Sequence, residues 1–307
     1  MTQLYQQDAV GAIRELSTRR GRRVPVAPYL YVAPFFVVFS AFFAYPVAYS
    51  VYVSLHSWSG VGPMKWVGWG NYTFALRDAY FWGAFKTTAI LWLEVIPLGI
   101  VLALLIAVVL NRRRFRGRSV ALVLYLLPAV ISIVASSLVF KILYDPIAGP
   151  IDVTLGGLGL PRIPWLSDEA WARIAIGLVR LWESIGLSTL FFLASLQHIS
   201  HEIYDAASVD GGGPIRTFWS ITVPLLVRTI LFLTVVNTLA VLGLFAEPQL
   251  VTSGGPNNAT TTLGLYLYNM INGLDLGTAS AVSFIMSAFM MIVSIALFVT
   301  ARHWATD

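Results

Sequence analysis

Apolar residues run along this chain in blocks of about two dozen, separated by short polar stretches, and the length of those blocks predicts the architecture. A helix needs about 20 apolar residues, each rising 1.5 Å, to cross roughly 30 Å of hydrocarbon. Six segments meet that requirement: Leu30 to Leu55, Ala84 to Leu110, Ser119 to Leu143, Trp171 to Gln197, Leu225 to Glu247 and Thr278 to Ala301. None alternates with the period of two that a barrel strand would show. The predicted fold class is therefore all-α, a polytopic membrane protein with six transmembrane helices. Pro28, Pro34, Pro46, Pro97 and Pro128 interrupt or border these segments, which predicts kinks.

Composition narrows the function classes. Of 307 residues, 57% are hydrophobic and 11% charged, where an ordinary soluble domain carries about 25% charge. A water-soluble enzyme is excluded. The absence of cysteine removes disulfide frameworks, thiolate metal sites, cysteine nucleophiles and palmitoyl anchors together. A net charge of +5 raises nucleic acid as a partner, but the basic residues gather in two clusters beside apolar blocks, so no nucleic-acid partner is expected. Arg14, Arg19, Arg20, Arg22 and Arg23 form one cluster; Arg112, Arg113, Arg114, Arg116 and Arg118 form the other. By the positive-inside rule both clusters are cytoplasmic, which places both termini inside. Residues 1–27 then form a retained cytoplasmic tail, either a solvated topogenic segment or an amphipathic surface helix built on Ala9, Ala12, Ile13 and Leu16. Residues 28–307 form one membrane domain, whose outer loops of about 25 to 30 residues fall below the size of an independently folded domain.

The stretch His198 to Leu226, between the fourth and fifth segments, is acidic for a cytoplasmic loop: Glu202, Asp205 and Asp210 face a single Arg216. Ser200 is placed to cap a short helix with Glu202 in its first turn, and Gly211, Gly212 and Gly213 stop it after about ten residues. Pro214 suits the first position of a second helical stretch, which ends where Pro224 bends the chain into segment five. This predicts a helix-turn-helix outside the bilayer, with small residues Ala206 and Ala207 suited to close entry into a groove on another protein.

In residue types, spacing and position this run resembles the EAA loop of permease subunits of binding-protein-dependent ABC importers: EAA, three residues, Gly, nine residues, then I-x-L-P. Here it reads Asp205, Ala206, Ala207, then Gly211, then Ile221, Val223 and Pro224, with Asp in place of Glu and Val in place of Leu. LNRRRFRGR followed by LYLLPAVIS, FFLASLQHI, FAEPQLVTSGGPNNAT and LGTASAVS look like the sugar and oligosaccharide members of that class. The resemblance implies a coupling surface at Asp205, Ala206, Ala207, Asp210, Gly211 and Pro224, in a loop spanning about residues 198–224. It implies as partners a second homologous permease, two cytoplasmic ATPase subunits that bind ATP and Mg, and an extracytoplasmic solute-binding protein. It also implies a sugar as cargo and a bacterial or archaeal plasma (inner) membrane. No cofactor and no metal is expected in this chain.

Ionisable side chains inside a span are costly and count as functional candidates. Arg180 and Glu183, three apart on one helix face, serve either as a neutralising pair or as a substrate contact. Trp182 fits an interface anchor or a sugar-stacking platform, Glu94 either satisfies backbone opened near Pro97 or lines a path, and Asn237 either joins helices or faces a cavity. Glu247 and Gln249 are expected at the external mouth, exposed or against the binding protein. Glu94, Trp182, Glu183, Asn237 and Glu247 are thus the substrate-path candidates.

A carbohydrate importer subunit is the leading reading, with glycerol-phosphate-type solutes as a variant cargo. The alternative is a proton- or sodium-coupled secondary transporter using Glu94 and Glu183. The chain is not expected to be an enzyme: it has no G-x-x-x-x-G-K-[ST] loop for ATP, no G-x-S-x-G elbow, and His201 with Glu202 lacks the second histidine of H-E-x-x-H.

Overall fold

The structure is a computed structural model that describes residues 26–112 and 117–306, with side chains described for 29–112 and 117–299. The expected amphipathic segment at Ala9 to Leu16, the five tail arginines, and Arg113, Arg114 and Arg116 lie outside the described residues. The chain divides into two units, Met1–Tyr52 and Val53–Asp307.

The described part of the first unit is helical. Helix α1 (Val26–Phe39) continues through a π turn (Ser40–Ala44) into α2 (Tyr45–Ser54), whose last two residues begin the second unit. Tyr29–Ser54 carries 26 residues of mean hydropathy 1.9, enough to cross a bilayer. The Tyr45 amide reaches back five residues to the Ser40 carbonyl. That wider turn sits immediately before Pro46, whose missing N–H would otherwise break a regular ladder.

The second unit opens with a two-residue hairpin, β1 (His56–Ser57) paired antiparallel with β2 (Lys65–Trp66). Helix α3 (Gly70–Arg77) leads into α4 (Ala79–Leu110), a 32-residue span capped by Asp78, which accepts from the Tyr80 amide. The third predicted segment is broken: α5 (Arg118–Val130) and α6 (Ile133–Leu143) meet at 98° around Ile131 and Ser132. This corrects the expectation of one continuous span there. Pro128 removes a ladder donor three residues before the break, and the chain is extended at Ile131 and Ser132. Helix α7 (Pro150–Gly157) precedes α8 (Glu169–Gln197), the second long span, capped by Asp168.

The stretch after α8 contains α9 (His201–Val209), α10 (Pro214–Thr217), a second π turn (Phe218–Thr222) and α11 (Val223–Leu225). Here too the π turn ends one residue before a proline, with the Val223 amide reaching Phe218 ahead of Pro224. Residues from Pro214 to Leu225 and α12 (Val227–Leu242) pass together as one span bent by 66°. The second half of the expected helix-turn-helix thus leads directly into α12, as the entry limb of this bent pair, and α12 ends at Leu242, before Glu247. Two short helices follow, α13 (Ala246–Val251) and α14 (Leu263–Asn272), and α15 (Leu276–Thr306) closes the chain. Among the described residues four helices are long and apolar enough to cross a membrane, and up to six when each bent pair counts as one span.

The most extensive helix contact in the second unit joins α4 to α8. Small residues allow it: Ala103 and Ala107 of α4 and Ala172 and Ala175 of α8 are fully buried. A Cβ on Gly99 would stand 3.2 Å from Leu181, and one on Gly177 would stand 3.5 Å from Val95. Without lipid-excluding hydrophobic force between spans, such close approach supplies the packing. Trp92 of α4 donates to Thr238 of α12 at 2.8 Å, and Ser195 of α8 hydrogen-bonds Thr229 of α12 at 2.8 Å, so α12 docks on both. On its other side α8 meets α5 at Gly186, where any Cβ would overlap the Tyr125 carbonyl. Near the start of α4, the Tyr266 hydroxyl of α14 donates to Asp78 at 2.6 Å. Burial, reinforced by that carboxylate, raises the phenol well above its ordinary range.

Gly186→Ala is expected to force α5 and α8 apart and to cost about 1–3 kcal/mol, as overpacking does. A thermal unfolding midpoint in detergent unchanged from wild type would contradict this contact.

Candidate functional site

Two features stand out. The first is helix α9 and its exit. The Ser200 hydroxyl accepts from the Glu202 amide, giving the predicted N-cap. At the other end Gly211 has φ of +74°. Its amide donates to the Ser208 carbonyl at 3.2 Å, and the Gly212 amide donates to Ala207 at 2.8 Å. This pair of bonds is a Schellman turn, which requires a left-handed residue where Gly211 stands. Gly212 has its own reason, because a Cβ there would lie 2.7 Å from the Ala207 carbonyl. No residue of α9 is buried. Asp205, Ala206, Asp210, Gly211 and Pro224 are exposed, and Ala207 is half-buried. Ile203, Val209, Ile215 and Trp219 are exposed as well, Val209 by 88%. Behind the helix, the Tyr204 hydroxyl meets Thr222 at 3.3 Å. Asp205 and His201 share a recess of about 340 Å³ with Asn111 and Arg112 from the end of α4.

The second feature is a cavity of about 460 Å³ walled by α8, α12 and the broken α5–α6 pair. Its volume falls in the range of small-molecule sites, about 300–1,000 Å³. Glu183, Ser184 and Ser188 of α8 and Asn237 of α12 supply polar groups; Leu187, Phe191 and Phe232 supply an apolar wall. The rings of Phe191 and Phe232 stand 5.5 Å apart. Asn237 donates to the Leu233 carbonyl at 2.9 Å and to the Ser188 hydroxyl at 3.4 Å.

At one end of this cavity a charged cluster gathers three elements. Arg180 Nη1 stands 3.6 Å from Glu183 Oε2. The Ser136 hydroxyl of α6 donates to Glu183 Oε1 at 2.6 Å. Glu247 of α13 lies close enough to feel the charges of both Arg180 and Glu183, and its Oε1 is buried without a hydrogen-bond partner. Its side chain is 1% exposed. The expectation of an exposed Glu247 at an external mouth is therefore corrected. Because the span ends at Leu242, α13 folds back onto α6 and α8 and carries Glu247 inward.

Of the five path candidates, Glu183 and Asn237 line the cavity and Glu247 joins Glu183 at its end. Trp182 points to the neighbouring side of α8, its ring 5.2 Å from Phe140. Glu94 is exposed on α4, with a carboxylate oxygen 3.8 Å from where a Gly177 Cβ would be, and apart from the cavity. Ser136, Ser184, Ser188, Phe191 and Phe232 escaped sequence reasoning. The α8 members were readable from spacing, since positions 180, 183, 184, 187, 188 and 191 fall on one helical face. Ser136 and Phe232 come from other elements and carried no such signal. Among the described residues no group of three or more His, Cys, Asp or Glu side chains could hold a metal ion.

Residues 95–305 match the family model described as "Binding-protein-dependent transport system inner membrane component". The chain belongs to this family. It is 34% identical to the lactose transport system permease protein LacF of Rhizobium radiobacter, over 92% of this chain and 96% of that one. It is also 34% identical to the sulfoquinovosyl glycerol transport system permease protein SmoG of Agrobacterium fabrum, over 86% and 87% of the two chains. Among solved structures, a chain of a bacterial alginate ABC transporter crystallised with an alginate-bound periplasmic protein superposes with a TM-score of 0.77. At 21% identity over 91% of this chain and 95% of that one, that likeness shows the fold. The chain is thus a permease, a transport subunit of an inner membrane system and not an enzyme. Membership in a binding-protein-dependent family leaves the gradient-driven alternative without support.

The cluster makes a stability prediction. Removing Arg180 alone leaves two buried carboxyls without their cation, so Arg180→Met is expected to cost about 3–5 kcal/mol. Arg180→Met with Glu183→Met should cost less than Arg180→Met alone. Thermal unfolding of the three proteins in one detergent checks the order; a double variant weaker than the single one would contradict the pairing.

Proposed function

We propose that this chain is one permease half of an ATP-driven importer. In this reading it passes a carbohydrate, handed over by an extracytoplasmic binding protein, through the cavity between α8 and α12. A second permease completes the path, and two cytoplasmic ATPase subunits bind ATP and Mg and act on α9. The observation that carries the reading is α9 itself: a capped helix with no buried residue, flanked by exposed Ile203, Val209, Ile215 and Trp219, and stopped by a left-handed glycine. An apolar, sharply ended helix of this kind fits a groove on a partner protein. Asp205, Ala206, Ala207, Asp210 and Gly211 form the contact, and Pro224 marks the joint through which its movement enters the fifth span.

The cavity supports the cargo class. A sugar has hydroxyls around its rim and apolar C–H faces, and the wall offers hydroxyl and carboxyl groups on one side and Phe191 and Phe232 on the other. Two relatives at the same 34% identity are named for lactose and for a sulfonated glycoside. Their names support a carbohydrate cargo and leave its charge open.

Gly211→Val tests the coupling. A β-branched residue at φ of +74° is strained, so the end of α9 should distort while insertion of the spans is unaffected. Wild-type chain, purified with its partners, is expected to carry ATPase activity. The variant should reach the membrane at normal levels with ATPase stimulation and uptake reduced about tenfold or more. Full stimulation in the variant, or wild-type chain that purifies alone, would overturn the reading.

A further inference from the structure

Among the described residues, the one cation on the cavity wall is already paired, and the neutral groups of the wall are unbalanced in hydrogen-bonding character. From this we infer that the cavity takes uncharged polyhydroxylated solutes and rejects those bearing a carboxylate, sulfonate or phosphate. The inference rests on the carbohydrate reading above and adds the charge of the cargo to it.

Arg180 is the one basic residue on the cavity wall among the described residues. An anionic cargo would need its guanidinium, and that group is already engaged. Glu183 holds it at 3.6 Å, and Glu247 adds a second carboxyl in the same field. Glu183 therefore pairs the guanidinium, with the Glu247 carboxyl buried beside the pair. Glu183 is held from the other side by the Ser136 hydroxyl at 2.6 Å, and Glu247 is almost wholly buried. The Nε of Arg180 is buried and lacks a hydrogen-bond partner, so this donor is not presented to an entering solute.

The neutral groups point the same way. The amide nitrogen of Asn237 is committed to Leu233 and Ser188, which leaves its carbonyl to meet a ligand. A carboxylate such as that of Glu183 can only accept, and the Ser184 and Ser188 hydroxyls both accept and donate. The wall is thus rich in acceptors and poor in free donors. Sugar hydroxyls can donate to it; an ionised acid group can only accept and finds no uncommitted cation. The two phenylalanines cover the ring face in either case, so the charged end of the cavity is what discriminates.

The test uses the purified permease–ATPase complex without its binding protein, so that the binding protein's own selectivity does not enter. Equilibrium dialysis measures radiolabelled maltose, sucrose and cellobiose beside glucuronate, maltobionate and glucose 6-phosphate. Wild type is expected to bind none of the three anions. Glu183→Gln with Glu247→Gln frees Arg180 and should raise affinity for at least one anion about tenfold or more; adding Arg180→Gln should abolish the gain. Glu247→Gln alone, which keeps the Ser136 contact, should give a smaller gain and guards against misassembly of the double variant. Wild type binding an anion as tightly as a neutral sugar would overturn the inference, as would anion affinity indifferent to loss of both carboxylates in a complex that still assembles. Absence of ATP-driven uptake of any carbohydrate by the complete importer would instead count against the carbohydrate reading itself.

Discussion

The close contact of α4 with α8 is the constraint on which the rest of the second unit depends. Two long apolar helices gain little by hiding apolar surface from lipid that is as apolar as they are, so their association rests on fit. Gly99 against Leu181, Gly177 against Val95, and the buried Ala103, Ala107, Ala172 and Ala175 give that fit. With α8 fixed along one side by α4, its opposite face is free to carry Glu183, Ser184, Ser188 and Phe191. The same docking sets α12 at a distance where Trp92 reaches Thr238 and Ser188 reaches Asn237. The cavity is what remains between helices whose spacing is set elsewhere.

Broken helices make that space useful. A continuous third span would cover the face of α8; instead the chain turns by 98° between α5 and α6. The turn brings Pro128, Ile131 and Ile133 to the rim and Ser136 onto Glu183. The backbone groups freed at such a break need partners or a wet cavity, which is why irregular backbone in spanning proteins occurs where it lines a path. The cluster of Arg180, Glu183, Ser136 and Glu247 ties α8, α6 and α13 at this point, so any movement of one of the three is felt by the others.

Helix α9 and the cavity are joined by short covalent and hydrogen-bonded links. Helix α8 carries the cavity wall and, three residues past its end, gives way to α9. Tyr204 ties α9 to Thr222 at the entry limb of the fifth span, and Ser195 ties α8 to Thr229 at the start of α12. The π turn at Phe218–Thr222 ends at the first of those ties, and the 66° bend after Leu225 lies between the two. Helix α9 is thus linked to α12, which carries Asn237 and Phe232, through a segment that departs from regular helix.

Hydropathy and spacing alone determined the helical class, the apolar lengths of the long helices, and the short capped helix after α8, because a bilayer demands a fixed apolar length and a Schellman turn demands a glycine. The i, i+3 placement of Arg180 and Glu183 on one face was equally legible, being a property of helical geometry. Only the tertiary structure decided which groups meet that face. That Glu247 turns inward follows from the span ending at Leu242 and α13 folding back, and nothing in the local pattern of FAEPQLVT marks that end. The 98° break lies near a proline that was visible, yet a proline gives a place for a bend without its direction or size. Trp182 and Glu94 looked like path residues by type and depth, and their separation from the cavity is set by the packing of α4 and α8. Local chemistry is written in the chain, whereas the pairing of distant polar groups depends on how whole helices pack, and small residues set that through steric fit that hydropathy does not record.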